Sequence, residues 1–172
     1  MVAKKRSVLK HLQDALRHKG VIQKHYVAVV VGRWPKHIAR VDAPLKRCEY
    51  PNGERIVRVH SEGKASVTEF KVLQYFDGFT LVAAKPLTGR THQIRVHAQH
   101  VGCSLVGDEK YTALEDNKRM KAKGFKRLCL HAHGLQLRFA DGAPLSVRAP
   151  LPAELLQPLQ AAGLEALNAD HF

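Results

Sequence analysis

The chain has 172 residues, enough for one domain with its own core, and 45% of them are hydrophobic. With 28 Lys and Arg against 15 Asp and Glu, its formal charge is +13, which points to a polyanionic partner because each neutralised phosphate releases counterions. The composition excludes a disordered chain, and no apolar run approaches the roughly 20 residues of a membrane span. The basic start "MVAKKRSVLKH" has no apolar stretch behind it, so no secretory signal is expected.

Along the chain, residues 4–18 carry apolar side chains at 8, 9, 12, 15 and 16, a helical spacing that Gly20 is placed to stop. "VIQKHYVAVVVGRW" (21–34) is rich in β-branched residues and predicts a strand. "PNG" at 51–53 signals a turn, and "ERIVRVH" alternates like a short half-buried strand. Residues 66–76 and 79–87 are apolar-alternating runs around Asp77-Gly78, the strongest hairpin signal here. Helical spacing then returns at Ile94, Val96, His97 and Val101, ended by Gly102. "SLVGDEKY" is read as extended or turn. "LEDNKRMKAKG" (114–124) is polar all round and fits an exposed helix or a mobile loop. "RLCLHAHGLQLRF" and "PLSVRAP" predict a final strand pair about Asp141-Gly142. "PAELLQPLQAAGLEAL" predicts helical turns, and the last few residues are expected to fray. The sum is α+β: a mixed, mainly antiparallel sheet with flanking helices, one domain over residues 1–172, with no internal repeat.

The chemistry narrows by elimination. Cys48, Cys103 and Cys129 are odd in number, widely spaced and without a CxxC, so free thiols in a reducing cytosol are expected. Eleven histidines occur, but none in a metal-ligand pattern such as HExxH, so no metal is expected. A P-loop, GxGxxG and GxSxG are absent, leaving no phosphate cradle for nucleotide chemistry and no serine nucleophile elbow. What remains is "TGRTHQIRVH" (88–97), with two arginines, two histidines, a glutamine and two threonines in ten residues. Arginine suits two-pronged binding of carboxylate or phosphate. If Thr91 caps a helix, Arg90 lies in the turn before it and Arg95 one turn in, beside the unpaired N–H groups of the helix start. Tyr26, in mid-strand, is either a core residue or a ring that stacks on a base.

"KPLTGRTHQIRVHAQHVGCSLVGDEKY", "KHYVAVVVGRW" and "RLCLHAHGLQLRF" together resemble the motifs of RluA-type RNA pseudouridine synthases. "VAKKRSVLKHLQDALRHKG" and "GERIVRVHSEGKASVTEFKV" are especially similar to the RluC branch, which acts on large-subunit ribosomal RNA. The resemblance runs from about residue 2 to about 160. It implies a cofactor-free isomerase: a uridine leaves its stack, an aspartate attacks, the N-glycosidic bond breaks, the uracil reorients and a C–C bond forms. It further implies that Tyr26 stacks on the base and helps the final proton removal, and that Arg95 pairs with the catalytic aspartate. Lys85, Arg90, His92, Gln93 and His131 would line the site or touch RNA. Large-subunit ribosomal RNA is the implied partner, with a cytoplasmic monomer as the default state.

One departure stands out. The family's aspartate lies in an "HRLD" segment that leads into "LLVAKKR", and no HRLD occurs in this sequence. None of Asp14, Asp42, Asp77, Asp108, Asp116 and Asp141 has those surroundings. The expectation is therefore the C-terminal portion of a catalytic domain, without the HRLD segment and the S4-like domain that usually precedes it. The rival readings are a non-catalytic RNA-binding module derived from the same fold and a basic domain with no RNA role.

Overall fold

A computed structural model describes residues 4–17, 21–50, 52–139 and 141–166. Its centre is β1 (Ile22–Val31), whose β-branched residues are held between two antiparallel neighbours, β6 (Phe79–Pro86) and β7 (Leu130–Arg138). Outward from β6 lie β5 (Val67–Phe76) and β2 (Arg40–Asp42), and outside β7 lies β8 (Pro144–Arg148), giving the order β2-β5-β6-β1-β7-β8. Every named pair is antiparallel, in keeping with the mainly antiparallel sheet expected from the sequence. A small second sheet pairs β3 (Leu45–Glu49) with β4 (Arg55–Val59). Neither β2 nor β3 was foreseen, because three- and five-residue strands are too short to establish a period.

Alternation along β1 sends its side chains to two cores. Ala28 and Val30, with Tyr26 at the margin, pack against Ile94 and Ala98 of α2 (Gln93–His100). Val27, Val29 and Val31 pack against Met120 of α3 (Leu114–Ala122) and Leu155 and Leu159 of α4 (Ala153–Ala161). Burying each such side chain contributes about 1.5–3 kcal/mol, so burial of both faces fixes the register of this strand. On the first face, α1 (Arg6–Arg17) adds Leu12 and Ala15 against Ile22 and Leu137. Gly20 and the terminal residues expected to fray lie outside the described residues.

The polar stretch 114–124 is a helix for a reason its period conceals. One residue, Met120, enters the core with 0% exposure. Glu115 and Asp116 occupy the favourable first turn and pair with Lys118 and Arg119 one turn on. Asn117 takes the Gly107 N–H with its side-chain oxygen and donates to the Asp108 carbonyl, tying α3 to the preceding loop. Gly107 is fixed by space as well as by its φ of +75°: an added Cβ would lie 1.9 Å from the Arg127 carbonyl oxygen.

Candidate active site

The run Thr88–His97 forms a turn and the helix it opens, organised by Gln93. This residue is 4% exposed and uses its whole amide internally. Its Oε1 accepts from the Thr88 hydroxyl at 2.7 Å and the Arg90 N–H at 3.0 Å. Its Nε2 donates to the Val67 carbonyl at 2.8 Å and Thr68 Oγ1 at 3.0 Å. Thr88 in turn accepts from the Val67 N–H. Thr68 sits 2.8 Å from Nδ1 of the fully buried His97, whose Nε2 lies 3.0 Å from the Ala43 carbonyl. A carbonyl can only accept, so Nε2 carries the proton, and Nδ1 receives the Thr68 hydrogen. Burial, more than any other influence, keeps His97 neutral. Gln93, expected to line the site, therefore has no polar atom left for RNA; it shapes the turn.

Thr91 was expected to cap α2. The cap is instead His92, at φ 53° and ψ 19°, the one non-glycine residue with positive φ among the described residues. Thr91 points outward, where its Oγ1 accepts from Arg47. The left-handed conformation costs His92 on the order of 1 kcal/mol and is held by tertiary contacts. Nδ1 of His92 is 2.8 Å from the Tyr111 hydroxyl, which already accepts from the Val57 N–H and so gives its own hydrogen to the imidazole. Burial lowers the His92 pKa, and the neighbouring Arg95 and Lys110 add to that. The neutral ring thus presents an Nε2–H.

Arg95 is positioned one turn on. Its Nε and Nη2 donate to the two oxygens of Asp108, each at 2.7 Å, and its guanidinium lies 4.8 Å from the Tyr111 ring centre. Asp108 has a side chain 0% exposed and also accepts the N–H groups of Lys110 and Tyr111. Burial raises its pKa, but the Arg95 and backbone hydrogen bonds outweigh this and hold it below the usual carboxylate range. Asp108 is consequently a buried, fully engaged carboxylate and unfit to attack a substrate. Arg95 was expected to pair with a catalytic aspartate; within this chain its partner is Asp108.

Two basic clefts flank this helix. One, of about 450 Å³, lies between the β3–β4 hairpin and the Gly89–Thr91 turn, with Lys46, Arg47, Lys64 and Arg90 in its lining. Arg90 is exposed, with a single long bond from Nε to the Ala65 carbonyl at 3.3 Å. Lys24 reaches the same turn, its Nζ 3.4 Å from where a Gly89 Cβ would stand. Sequence reasoning missed Lys24, Lys46, Arg47 and Lys64; only the alternation of Lys24 with Tyr26 could have flagged the first. The second cleft, broader at about 1200 Å³, includes Arg95, Lys110, Lys118, Lys121 and Lys126.

Tyr26 is half-buried on the α2 face of the sheet, and its cross-strand partners Ala84 and Ala132 are both small. Its phenol pKa is raised by burial, so it is a neutral donor at pH 7. No hydrogen bond, ion pair or ring contact among the described residues joins Tyr26 to Arg95. Lys85 and His131 belong to the other face: Lys85 follows the inward Ala84, and His131 pairs with Val27, which packs toward α4. His131 lies 3.1 Å through Nε2 from the Ala149 carbonyl, to which it donates. The expected site residues are thus divided, with Tyr26, Arg90, His92, Gln93 and Arg95 around α2, and Lys85 and His131 across the sheet.

The other candidate groups are quiet. Cys103 and Cys129 are buried free thiols, and burial pushes Cys129 up to about 12, which removes it as a nucleophile despite its nearness in sequence to His131. Among the described residues no three His, Cys, Asp or Glu side chains are grouped to hold a metal.

Comparison with known proteins gives concordant results. A family model described as RNA pseudouridylate synthase matches residues 1–100. The chain is 44% identical over 156 residues to the ribosomal large subunit pseudouridine synthase C of Yersinia pestis, covering 90% of this chain and 48% of that protein. It is 44% identical over 163 residues to the protein of the same name from Escherichia coli K12, covering 93% and 51%. The chain therefore spans about half the length of the curated relatives it matches. Among solved structures, human RNA pseudouridylate synthase domain containing 4 superposes with a TM-score of 0.73 at 24% identity over 95% of this chain and 70% of that one. Human RNA pseudouridylate synthase domain containing 1 gives 0.70 at 26% identity over 90% and 65%.

Proposed function

The chain belongs to the RNA pseudouridylate synthase family, and on that premise we propose that it serves the isomerisation of uridine to pseudouridine in large-subunit ribosomal RNA, as its base-holding and RNA-gripping part. The observation that carries this is the rigid Thr88–His97 turn, which sets Arg90 beside the cleft of Lys46, Arg47 and Lys64. A cluster of four cations with Glu62 as the single carboxylate in that lining suits an RNA backbone, which is gripped through its phosphates. Tyr26, with alanines on both sides, offers a ring on which an extruded uracil stacks; such stacking is worth about 1–3 kcal/mol per base.

In the isomerisation, the glycosidic C–N bond breaks, the uracil turns, C5 bonds to the sugar and gives up its proton, and N1, freed from the sugar, takes one up. Tyr26 is placed in the role of stacking partner and as an aid to that proton loss. Arg95, with Nε and Nη2 committed to Asp108, keeps Nη1 for a second anionic group such as the nucleophilic carboxylate. That nucleophile is absent from these 172 residues, which hold no HRLD and whose buried Asp108 is fully engaged. No cofactor is invoked. We place the protein in the cytoplasm as a monomer.

A second reading is a module of this fold that binds RNA without turnover, which the basic cleft alone would serve. Two measurements on one preparation separate the readings: fluorescence anisotropy with a uridine-containing large-subunit RNA stem-loop across a salt series, and release of tritium from [5-³H]uridine in that RNA. Steeply salt-dependent binding, with tritium release only once the chain is joined to a family segment carrying HRLD, supports the isomerase part. Binding without release even in that joined form supports the module, and binding indifferent to salt overturns both.

A further inference from the structure

On the sheet face opposite Tyr26, the register draws basic side chains into one row. His25 pairs with Gly134, which pairs with Arg148; on the other side Lys85 lies one step beyond the Tyr26–Ala84 pair. A bulge in β7 at this point inserts His133 beside the row, and His131 stands 6.2 Å from it, ring to ring. Charge on His25 is disfavoured first by burial and then by Lys85, Arg148 and His133. Glu69 is the cross-strand partner of Lys85, yet no ion pair joins the two. Neither Lys85 nor Arg148 has an ion-pair or hydrogen-bond partner among the described residues. Nε2 of His25 is buried and has no hydrogen-bond partner. The His25 side chain lies over Gly134, its Cβ 3.4 Å from where a Gly134 Cβ would stand, and the space left between His25 and Arg148 is only about 10 Å³, so an anion would sit on this face and not within it.

A row of cations along one strand face, with Glu69 as the one carboxylate beside it and not ion-paired, is a surface that suits a phosphate group. We propose that His25, Lys85, His133 and Arg148 form a phosphate-binding site, occupied by an RNA backbone phosphate, on the sheet face opposite the Tyr26 ring. The choice of RNA as the source of that phosphate rests on the function proposed above; the anion chemistry does not. The RNA then touches both faces of the sheet, extending its contact from the α2 cleft to the β7–β8 hairpin.

The test has two arms on the full chain and its Lys85→Ala/Arg148→Ala variant. First, inorganic phosphate is titrated while the imidazole resonances of His25 and His133 are followed by NMR. Second, RNA affinity is measured over a salt series. The proposal expects saturable shifts of both histidines in the wild type and their loss in the variant. It also expects roughly tenfold weaker RNA binding at 0.1 M salt, with the log–log salt slope reduced by about one to two. An affinity loss with no response to inorganic phosphate supports a site that needs the RNA chain. A response to inorganic phosphate without any RNA binding by the wild type supports the anion site and sinks the RNA reading. Unchanged imidazole signals together with unchanged RNA affinity and slope overturn the proposal.

Discussion

Removing Arg95 tests the reading of the Arg95–Asp108 pair. The Arg95 side chain is 17% exposed and that of Asp108 0%, so the pair is shielded from solvent on the carboxylate side. Arg95→Met leaves a buried charge with only two backbone N–H donors, a loss of about 3–5 kcal/mol for a broken buried pair. At this chain length each kcal/mol moves Tm by about 2–4 °C, so a drop of roughly 6–20 °C is expected. Asp108→Asn keeps the shape and the backbone caps while removing the charge. Urea unfolding of both single variants and the double variant then yields the coupling energy, expected at about 2–4 kcal/mol from two charge-assisted hydrogen bonds. A coupling under about 1 kcal/mol would place the pair with exposed surface bridges and refute the argument. The pH dependence supplies a check of sign. The Asp108 pKa is depressed in the folded state, so its stabilisation is present above the unfolded value of about 3.9 and is lost as pH falls below it. The penalty of Arg95→Met should accordingly be full at pH 7 and smaller near pH 3.5.

Four further outcomes are expected. Tyr26→Ala should weaken RNA binding by about 5- to 150-fold, the equivalent of 1–3 kcal/mol of stacking, while Tyr26→Phe keeps most of it; equal losses in the two would assign the role to the hydroxyl. Gly107→Ala should abolish soluble folding or cut Tm severely, because its Cβ meets the Arg127 carbonyl, whereas Gly32→Ala, at φ +76° with open space around it, should cost about 1 kcal/mol. His25, His92, His97 and His133 all have lowered pKa values in the folded chain, so the unfolded chain binds more protons in mild acid. Stability should be complete above about pH 6.5 and decline below it, and equal urea midpoints at pH 7.5 and 5.5 would contradict this. Iodoacetamide should modify half-buried Cys48 well before Cys129, as read by peptide mass after a time course at pH 8.

The long elements were legible because their periods are long. The ten-residue β1 and β5 and the Asp77-Gly78 hairpin announce themselves by alternation and by turn chemistry, whereas β2 and β3 repeat too briefly. The helix 114–122 was ambiguous because its single core anchor, Met120, carries no periodic signal. At the site, residue types told which chemistry was available but not which side chains were free. Gln93 and Arg90 are equally polar in sequence; one is sealed inside the turn and the other stands outside it. Nor could spacing show that Asp108 would occupy Arg95, or that Lys85 and His131 would lie across the sheet from Tyr26, since both facts depend on strand pairing between distant segments.

The hydrogen bonds around Gln93 have a direction as well as a pattern. From the Val67 N–H through Thr88 to Gln93, and from Gln93 through Thr68 and His97 to the Ala43 carbonyl, each group donates onward. Turning the Gln93 amide over would set its NH₂ against the Arg90 N–H and leave two acceptors facing one another, so the chain of bonds has one permitted orientation. The turn bearing Arg90 is thereby stiffened before any ligand arrives. An RNA that meets it needs to order little but itself, and the entropy lost on binding should fall mainly on the nucleic acid rather than on the protein.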